Sequence, residues 1–279
     1  MSFDPRITPA RHDLAAAHLR GIVAAPRYVE GVDFEVFDAV APVRKAPVPD
    51  AMLETEVLKG ERVTIYDEDG EGWGWGQLRG DGYVGWLPMN ALRAPGPEPT
   101  HKVAVPRTIL FPGRSIKAQP VEGLPLGSRL AVAGQDGDLA KLASGGYVPA
   151  RHLAPLDAAV EADFVAVAEG FIGVPYLWGG KTSLGIDCSG LVQVSLTACS
   201  IACPRDSDMQ RALGTAVAPG AALARGDLVF WAGHVGVMRD AATLLHANAF
   251  HMAVTSEPFA EAVARISAAG TEVAAIKRL

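Results

Sequence analysis

The stretch from Gly173 to Leu191, Gly-Val-Pro-Tyr-Leu-Trp-Gly-Gly-Lys-Thr-Ser-Leu-Gly-Ile-Asp-Cys-Ser-Gly-Leu, constrains the fold of this chain more than any other. Gly179, Gly180 and Gly185 make a flexible approach, and Asp187, Cys188 and Ser189 then stand just before the apolar run Leu191, Val192, Val194 and Leu196. That run reads as a buried helix, which puts the Cys188 thiol at a helix N-terminus.

Unpaired backbone N–H groups and the helix dipole favour a thiolate there. A free cysteine has a pKa of about 8.5, and lowering it by about 2 units asks for about 2.7 kcal/mol, which the dipole alone barely reaches. A basic partner is needed. The segment Gly226-Asp227-Leu228-Val229-Phe230-Trp231, then Gly233-His234-Val235-Gly236-Val237-Met238, reads as two short strands meeting at a Gly-rich turn, with His234 opening the second. His246 ends a third apolar run, Thr243 to Leu245. A cysteine on a helix start, a histidine on a strand start and a polar group on the neighbouring strand make a nucleophile, base and orienter. The plain alternatives are a small buried hydrophobe for Cys188 and structural or solvated histidines.

These residues closely resemble the NlpC/P60 family of cell-wall cysteine peptidases. The matching pieces are Pro175, Tyr176, Trp178, Gly179 and Gly180, then Asp187-Cys188-Ser189-Gly190, then Gly226-Asp227-Leu228-Val229-Phe230, then His234-Val235-Gly236, then His246-Ala247. They stand in the family's order and spacing, and the resemblance covers roughly residues 158 to 279.

At 279 residues the chain has room for two or three small domains, and 49% hydrophobic with 20% charged residues describes a globular protein. A formal charge of -6, with no run of more than two Lys or Arg, argues against a nucleic-acid or anionic-membrane surface. The first twenty residues carry Asp4, Arg6, Arg11, Asp13 and Arg20 and read as no secretory signal, and no apolar run approaches a membrane span. Three cysteines make no disulfide framework. The simplest expected home is the cytoplasm.

Residues 1–40 read as an N-terminal arm with a short helix from Asp13 to Arg20. Residues 41–95 turn to β pattern: Val63 and Ile65 alternate with polar neighbours, Asp67 to Gly70 makes a turn, and Asp81-Gly82 is a hairpin signal between Trp73, Trp75, Leu78 and Tyr83, Val84, Trp86, Leu87. Short, evenly spaced strands suggest a small barrel. Residues 100–156 echo it, Gly146-Tyr147-Val148, Pro149 and Leu153 answering Gly82-Tyr83-Val84, Pro88 and Leu92, with the proline-rich stretch 93–100 between the copies. Both copies look like bacterial SH3-type domains. From residue 157 an alanine-rich helix (158–170), the Cys188 helix, a helix around Met209 to Leu213, the two histidine strands and a last strand from Thr271 to Ile276 follow. The expected fold is α+β, a papain-like NlpC/P60 domain (157–279) preceded by two small SH3-like β-barrels.

The chemistry expected is attack of Cys188 on an amide carbonyl, with His234 as base and then acid and His246 orienting it. The Cys188 N–H and the Tyr176 hydroxyl are the candidate oxyanion donors. No cofactor is implied, and no Cys-x-x-Cys or His-Glu-x-x-His spacing supports zinc. The resemblance further implies a γ-D-glutamyl-L-diamino acid endopeptidase acting on peptidoglycan-derived peptides with a free N-terminal L-alanine. An ammonium group needs carboxylates and a hydroxyl or π face, and the candidates are Asp187, Tyr83 and Glu56. Tyr83 also reads as a barrel core aromatic, Glu56 as a solvated strand residue and Asp187 as a helix N-cap. Arg205, Asp206 and Ser207 resemble a loop bordering the family's cleft, and Ser189, Ser207 or Arg205 could donate to a D-glutamate carboxylate. Trp178 reads as packing or as substrate wall. The same scaffold also suits an amidase or acyltransferase, and a wall-binding adaptor is the non-enzymatic reading.

Overall fold

The computed structural model describes residues 3–279, and the chain divides into two units after Leu156. In the first unit a seven-stranded antiparallel sheet contains, in spatial order, Leu53–Leu58, Val40–Arg44, Val84–Pro88, Trp73–Leu78, Arg62–Glu68, Val32–Val36 and Leu92–Arg93. The hairpin across Asp81-Gly82 forms as its turn signal implies, pairing Gln77 with Val84, and Gly82 takes a positive φ of 78°. Inward residues of these strands, among them Val36, Val43, Val57, Val63, Leu78 and Leu87, form one apolar core. Each such side chain contributes about 1.5–3 kcal/mol by leaving water.

The barrel starts earlier than residue 41. Val32–Val36 pairs with Arg62–Glu68 and with Leu92–Arg93, so it belongs to the sheet and not to an arm. The helix expected from Asp13 to Arg20 is absent: Ala15–Ala16 is extended and pairs in parallel with Tyr28–Val29, and only Ala17–Leu19 turns as a 3-10 helix. Leu14 and Ala16 are buried in a cluster with Tyr66 and Trp75, and that packing overrides local propensity. The proline-rich stretch is tied down as well, with the Gly96 N–H donating to Glu35 and Arg62 donating to the Gly96 carbonyl.

Residues 101–155 build three small antiparallel sheets around a separate core of Val103, Leu110, Leu124, Leu130, Leu142 and Val148. Gly60, at φ +78°, lies so close to the Arg129 carbonyl that an added Cβ would stand 2.1 Å from its oxygen.

The second unit has four helices, α1 (Phe164–Glu169), α2 (Cys188–Ala198), α3 (Ser207–Gln210) and α4 (Phe259–Ala268). Lys181–Thr182 and Gly185–Ile186 pair as a small antiparallel ribbon, and six further strands are β1 (Thr215–Ala216), β2 (Leu228–Trp231), β3 (His234–Met238), β4 (Thr243–Asn248), β5 (Ala253–Pro258) and β6 (Ala275–Arg278). These six make one antiparallel sheet in the order β1-β6-β2-β3-β4-β5.

The expected helix over 158–170 shrinks to α1 because Asp163 accepts from the Val165 N–H and caps it there, while Gly170 ends it as anticipated. The helix expected around Met209 to Leu213 closes at Gln210, and the last strand begins at Ala275. Helix α4 is an addition to the sequence reading, although Ala262, Val263 and Ile266 show helical spacing and pack with Val229, Trp231, Met238 and Leu244. Among the described residues no helix is long and apolar enough to cross a membrane.

Candidate active site

Cys188 is the first residue of α2, where the apolar spacing puts it. Asp187 is the N-cap, with its Oδ1 accepting from the Gly190 N–H at 2.6 Å and its Oδ2 from the Gly179 N–H at 2.8 Å. Arg205 donates to both oxygens, Nη1 to Oδ1 at 3.0 Å and Nη2 to Oδ2 at 2.7 Å, and Nη1 also reaches Ser189 Oγ at 2.8 Å. Gly190 is required by this arrangement, because an added Cβ would lie 2.4 Å from the Gly180 carbonyl oxygen. The flexible approach is thereby folded back against the first turn of α2.

His234 opens β3. The register pairs Val237 with Leu245 and Met238 with Leu244, and one step further it sets Gly236 across from His246, with His234 two residues on along the same face. A Cβ on Gly236 would come 3.2 Å from the His246 Cβ. Glycine leaves the gap across which His234 Nε2 and His246 Nδ1 meet at 2.8 Å. On its other side His246 Nε2 lies 2.7 Å from Glu257 Oε1. Glu257 in turn accepts from Arg265 Nη1 and Nη2, both at 2.6 Å. The Val235 N–H donates to the Cys188 sulfur, so the thiol rests against the residue that follows His234.

The thiol is more deeply set than its place at a helix end implies, with 7% of Cys188 exposed. Burial, and then the Asp187 charge, push it up to about 12 against the Val235 and Ser189 N–H groups, which reverses the lowering expected from the helix end. Burial, then His246 and Arg265, push His234 down to about 3. Neither charge is stable here alone. Burial thus favours the neutral form of each group. Burial and then the charges of Cys188 and Asp187 raise Tyr176, so its hydroxyl stays a donor.

Burial lowers His246 as well, against the pull of Glu257. Both rings bind a proton less readily folded than unfolded, so below about pH 6.5 the unfolded chain takes up protons that the folded one refuses. Stability is full above that pH and falls as pH drops, by about 1.4 kcal/mol per pH unit for each ring, until the folded value is reached. Thermal melts from pH 7.5 to 5 are expected to lose several degrees, and His234→Gln to flatten that slope. A wild-type melting temperature independent of pH would contradict the neutral, buried pair.

The remaining sequence candidates divide. Arg205 is 1% exposed and spent on Asp187, Ser189 and the Gly180 carbonyl, which removes it as a donor to a substrate carboxylate. Ser189 is bound into the same network, and Asp187 is the N-cap, its charge balanced by Arg205. Trp178 is 57% exposed and so is no packing residue of the core. Asp206 stands at the N-cap position of α3 without a capping hydrogen bond from its side chain, and Ser207 begins the helix, both half-buried. Within the first unit Tyr83 is 2% exposed in the barrel core, its hydroxyl 3.4 Å from Glu54, and Glu56 lies half-buried opposite Pro42. Among the described residues no three His, Cys, Asp or Glu side chains are grouped to hold a metal. Glu257 and Arg265 belong to no motif in the sequence. They are recognisable only once the register of β4 on β5 sets Thr255 against His246 and makes Glu257 its diagonal neighbour.

The second unit is thus an α+β domain in which a thiol opens a helix beside a histidine pair on an antiparallel sheet. The NlpC/P60 family profile matches residues 173–266, and that of the bacterial dipeptidyl-peptidase Sh3 domain matches residues 43–92. A probable endopeptidase NlpC of Escherichia coli K12 is 32% identical over 112 residues, covering 35% of this chain and 72% of its own length. The chain belongs to the NlpC/P60 family. A gamma-D-glutamyl-L-lysine dipeptidyl-peptidase of Bacillus cereus is 32% identical over 205 residues, or 64% of this chain, and the match spans 60% of that relative's length. A crystal structure of an NlpC/P60 family protein from Bacillus cereus ATCC 10987 shares the fold, with a TM-score of 0.75 at 23% identity, covering 88% of this chain and 99% of its own.

Proposed function

We propose that the chain is a cysteine endopeptidase that cleaves the bond between γ-D-glutamate and an L-diamino acid in peptidoglycan-derived peptides with a free N-terminal L-alanine. The observation that carries the reading is the thiol of Cys188 set against the start of β3, where His234 is bonded to His246. The Bacillus cereus relative, a gamma-D-glutamyl-L-lysine dipeptidyl-peptidase, supports the choice of bond.

In this reading the Cys188 S–H proton passes to His234 as sulfur bonds to the carbonyl carbon. The Cys188 N–H, one of the helix amides without an intrahelical acceptor, and the Tyr176 hydroxyl hold the oxyanion, at about 3 kcal/mol per donor. His234 then gives its proton to the leaving amine as the C–N bond breaks. Water, deprotonated by the same ring, attacks the thioester and restores the thiol.

Asp206 and Ser207 are our candidates for the substrate's polar groups, and Trp178 for an apolar wall. Residues 147–155 repeat the path of residues 84–93, strand, 3-10 turn and strand, and we read 100–156 as a second SH3-type domain. The test compares L-Ala-γ-D-Glu-diaminopimelate with its N-acetylated form. The free amine is expected to be hydrolysed at least tenfold faster in kcat/KM, a difference of about 1.4 kcal/mol. Equal rates would remove the ammonium requirement.

A further inference from the structure

The two histidines are followed, outward from the thiol, by a carboxylate and a guanidinium. We propose that Glu257, held by Arg265, is the positioning residue that sets which nitrogen of His234 receives the thiol proton; the inference rests on the acyl-transfer reading above.

An ionised carboxylate only accepts hydrogen bonds. Oε1 of Glu257 receives Arg265 Nη2 and faces His246 Nε2, and Oε2 receives Arg265 Nη1. His246 must then carry its hydrogen on Nε2, so that its Nδ1 in the neutral ring is a lone pair. That lone pair faces His234 Nε2 at 2.8 Å, which obliges His234 to donate from Nε2 and leaves its Nδ1 bare for the sulfur's proton. One carboxylate, two rings removed from the thiol, fixes both tautomers.

It also supplies charge. When His234 becomes an imidazolium, Glu257 lies one neutral ring away, and polarisation along the chain of hydrogen bonds stabilises the new cation. Burial works against ionisation of Glu257, but Arg265 and then His246 overcome it and hold the carboxyl at about 2, so it stays charged through the working range. The ionisable groups that face this pair are His234 on β3, Arg265 on α4 and His251, whose Nδ1 lies 4.0 Å from Glu257 Oε1 in the turn between β4 and β5. Asp187, capping α2, acts on His234, and Glu261 on α4 acts on Arg265. None of the others is hydrogen-bonded to His246 Nε2.

Two measurements test the inference apart from the peptidase reading. Nitrogen-15 spectra of the resting wild-type chain at pH 7.5 are expected to show both His234 and His246 as Nε2–H tautomers; an Nδ1–H form of either ring would overturn it, whatever the protein hydrolyses. Glu257→Gln can present either an oxygen or an amide to His246 and lacks the charge. In parallel with wild type on the same peptide, kcat is expected to fall about 10- to 100-fold, as for other outer-layer partners of functional histidines, with KM unchanged. Glu257→Asp should recover part of the loss, and the acid limb of the kcat–pH profile should move in Glu257→Gln. Wild-type hydrolysis with an unaltered kcat and pH profile in Glu257→Gln would overturn the positioning role alone. Absence of hydrolysis in wild type would instead overturn the function proposed above and leave the spectra to decide the tautomers.

Discussion

Cys188→Ala is expected to eliminate hydrolysis of the γ-D-glutamyl peptide, lowering kcat by at least about 10⁴-fold, as removal of a nucleophile does where only binding and oxyanion donors remain. The fold should survive. Alanine at the first position of α2 keeps the helix, because the cap is Asp187 and the anchors are Arg205 and Gln210, the latter donating to the Ser189 carbonyl at 2.9 Å. The change removes one buried sulfur, at about 1 kcal/mol. Circular dichroism and a melting temperature within a few degrees of wild type would accompany the lost turnover. Hydrolysis at more than a tenth of the wild-type rate in the folded variant would rule out the sulfur as nucleophile.

The second large effect is on stability. Arg205→Met leaves the Asp187 carboxylate buried at the start of α2 with its countercharge gone, and breaking a buried pair from one side costs about 3–5 kcal/mol. In a chain of this size that is a fall of about 10 °C in the melting temperature. Asp187→Asn strands the guanidinium instead, though asparagine still caps the helix. The double variant, Asp187→Asn with Arg205→Met, removes both charges and is expected to be more stable than Arg205→Met alone, because the penalty belongs to the unpaired ion. Calorimetry on the three variants checks this. Strictly additive losses, or a cost below about 1 kcal/mol for Arg205→Met, would show that the pair is not what holds the start of α2 in place.

Where the signal was local, the sequence was readable. A run of Leu191, Val192, Val194 and Leu196 after Asp-Cys-Ser dictates α2 and its cap, and the Gly-His-Val-Gly pattern dictates the start of β3 and the space for His246. The profile match to residues 173–266 covers these positions. The distant signals were not readable. Whether Leu14 to Ala16 forms a helix depends on Tyr66 and Trp75, some fifty residues on, and local spacing holds no trace of that packing. The direction of the thiol's shift depends on how much protein surrounds it, which no helix-end argument contains. Arg205 reads in the sequence as a substrate ligand, but its guanidinium is enclosed with Asp187, a pairing across 18 residues that spacing alone does not select. Glu257 needed three things at once, a strand register, an unpredicted helix and the tautomer logic of two rings.

The central claim is that Cys188 is the nucleophile for an L-Ala-γ-D-Glu acyl group. An L-Ala-γ-D-Glu chloromethyl ketone places an electrophilic carbon where the scissile carbonyl would sit, and peptide mapping by mass spectrometry reads which sulfur it alkylates among the three free cysteines Cys188, Cys199 and Cys203. The predicted result is one adduct per chain on Cys188, formed in step with loss of activity and slowed by substrate. Complete inactivation with Cys188 unmodified, or stoichiometric labelling of Cys199 or Cys203 in its place, would contradict it.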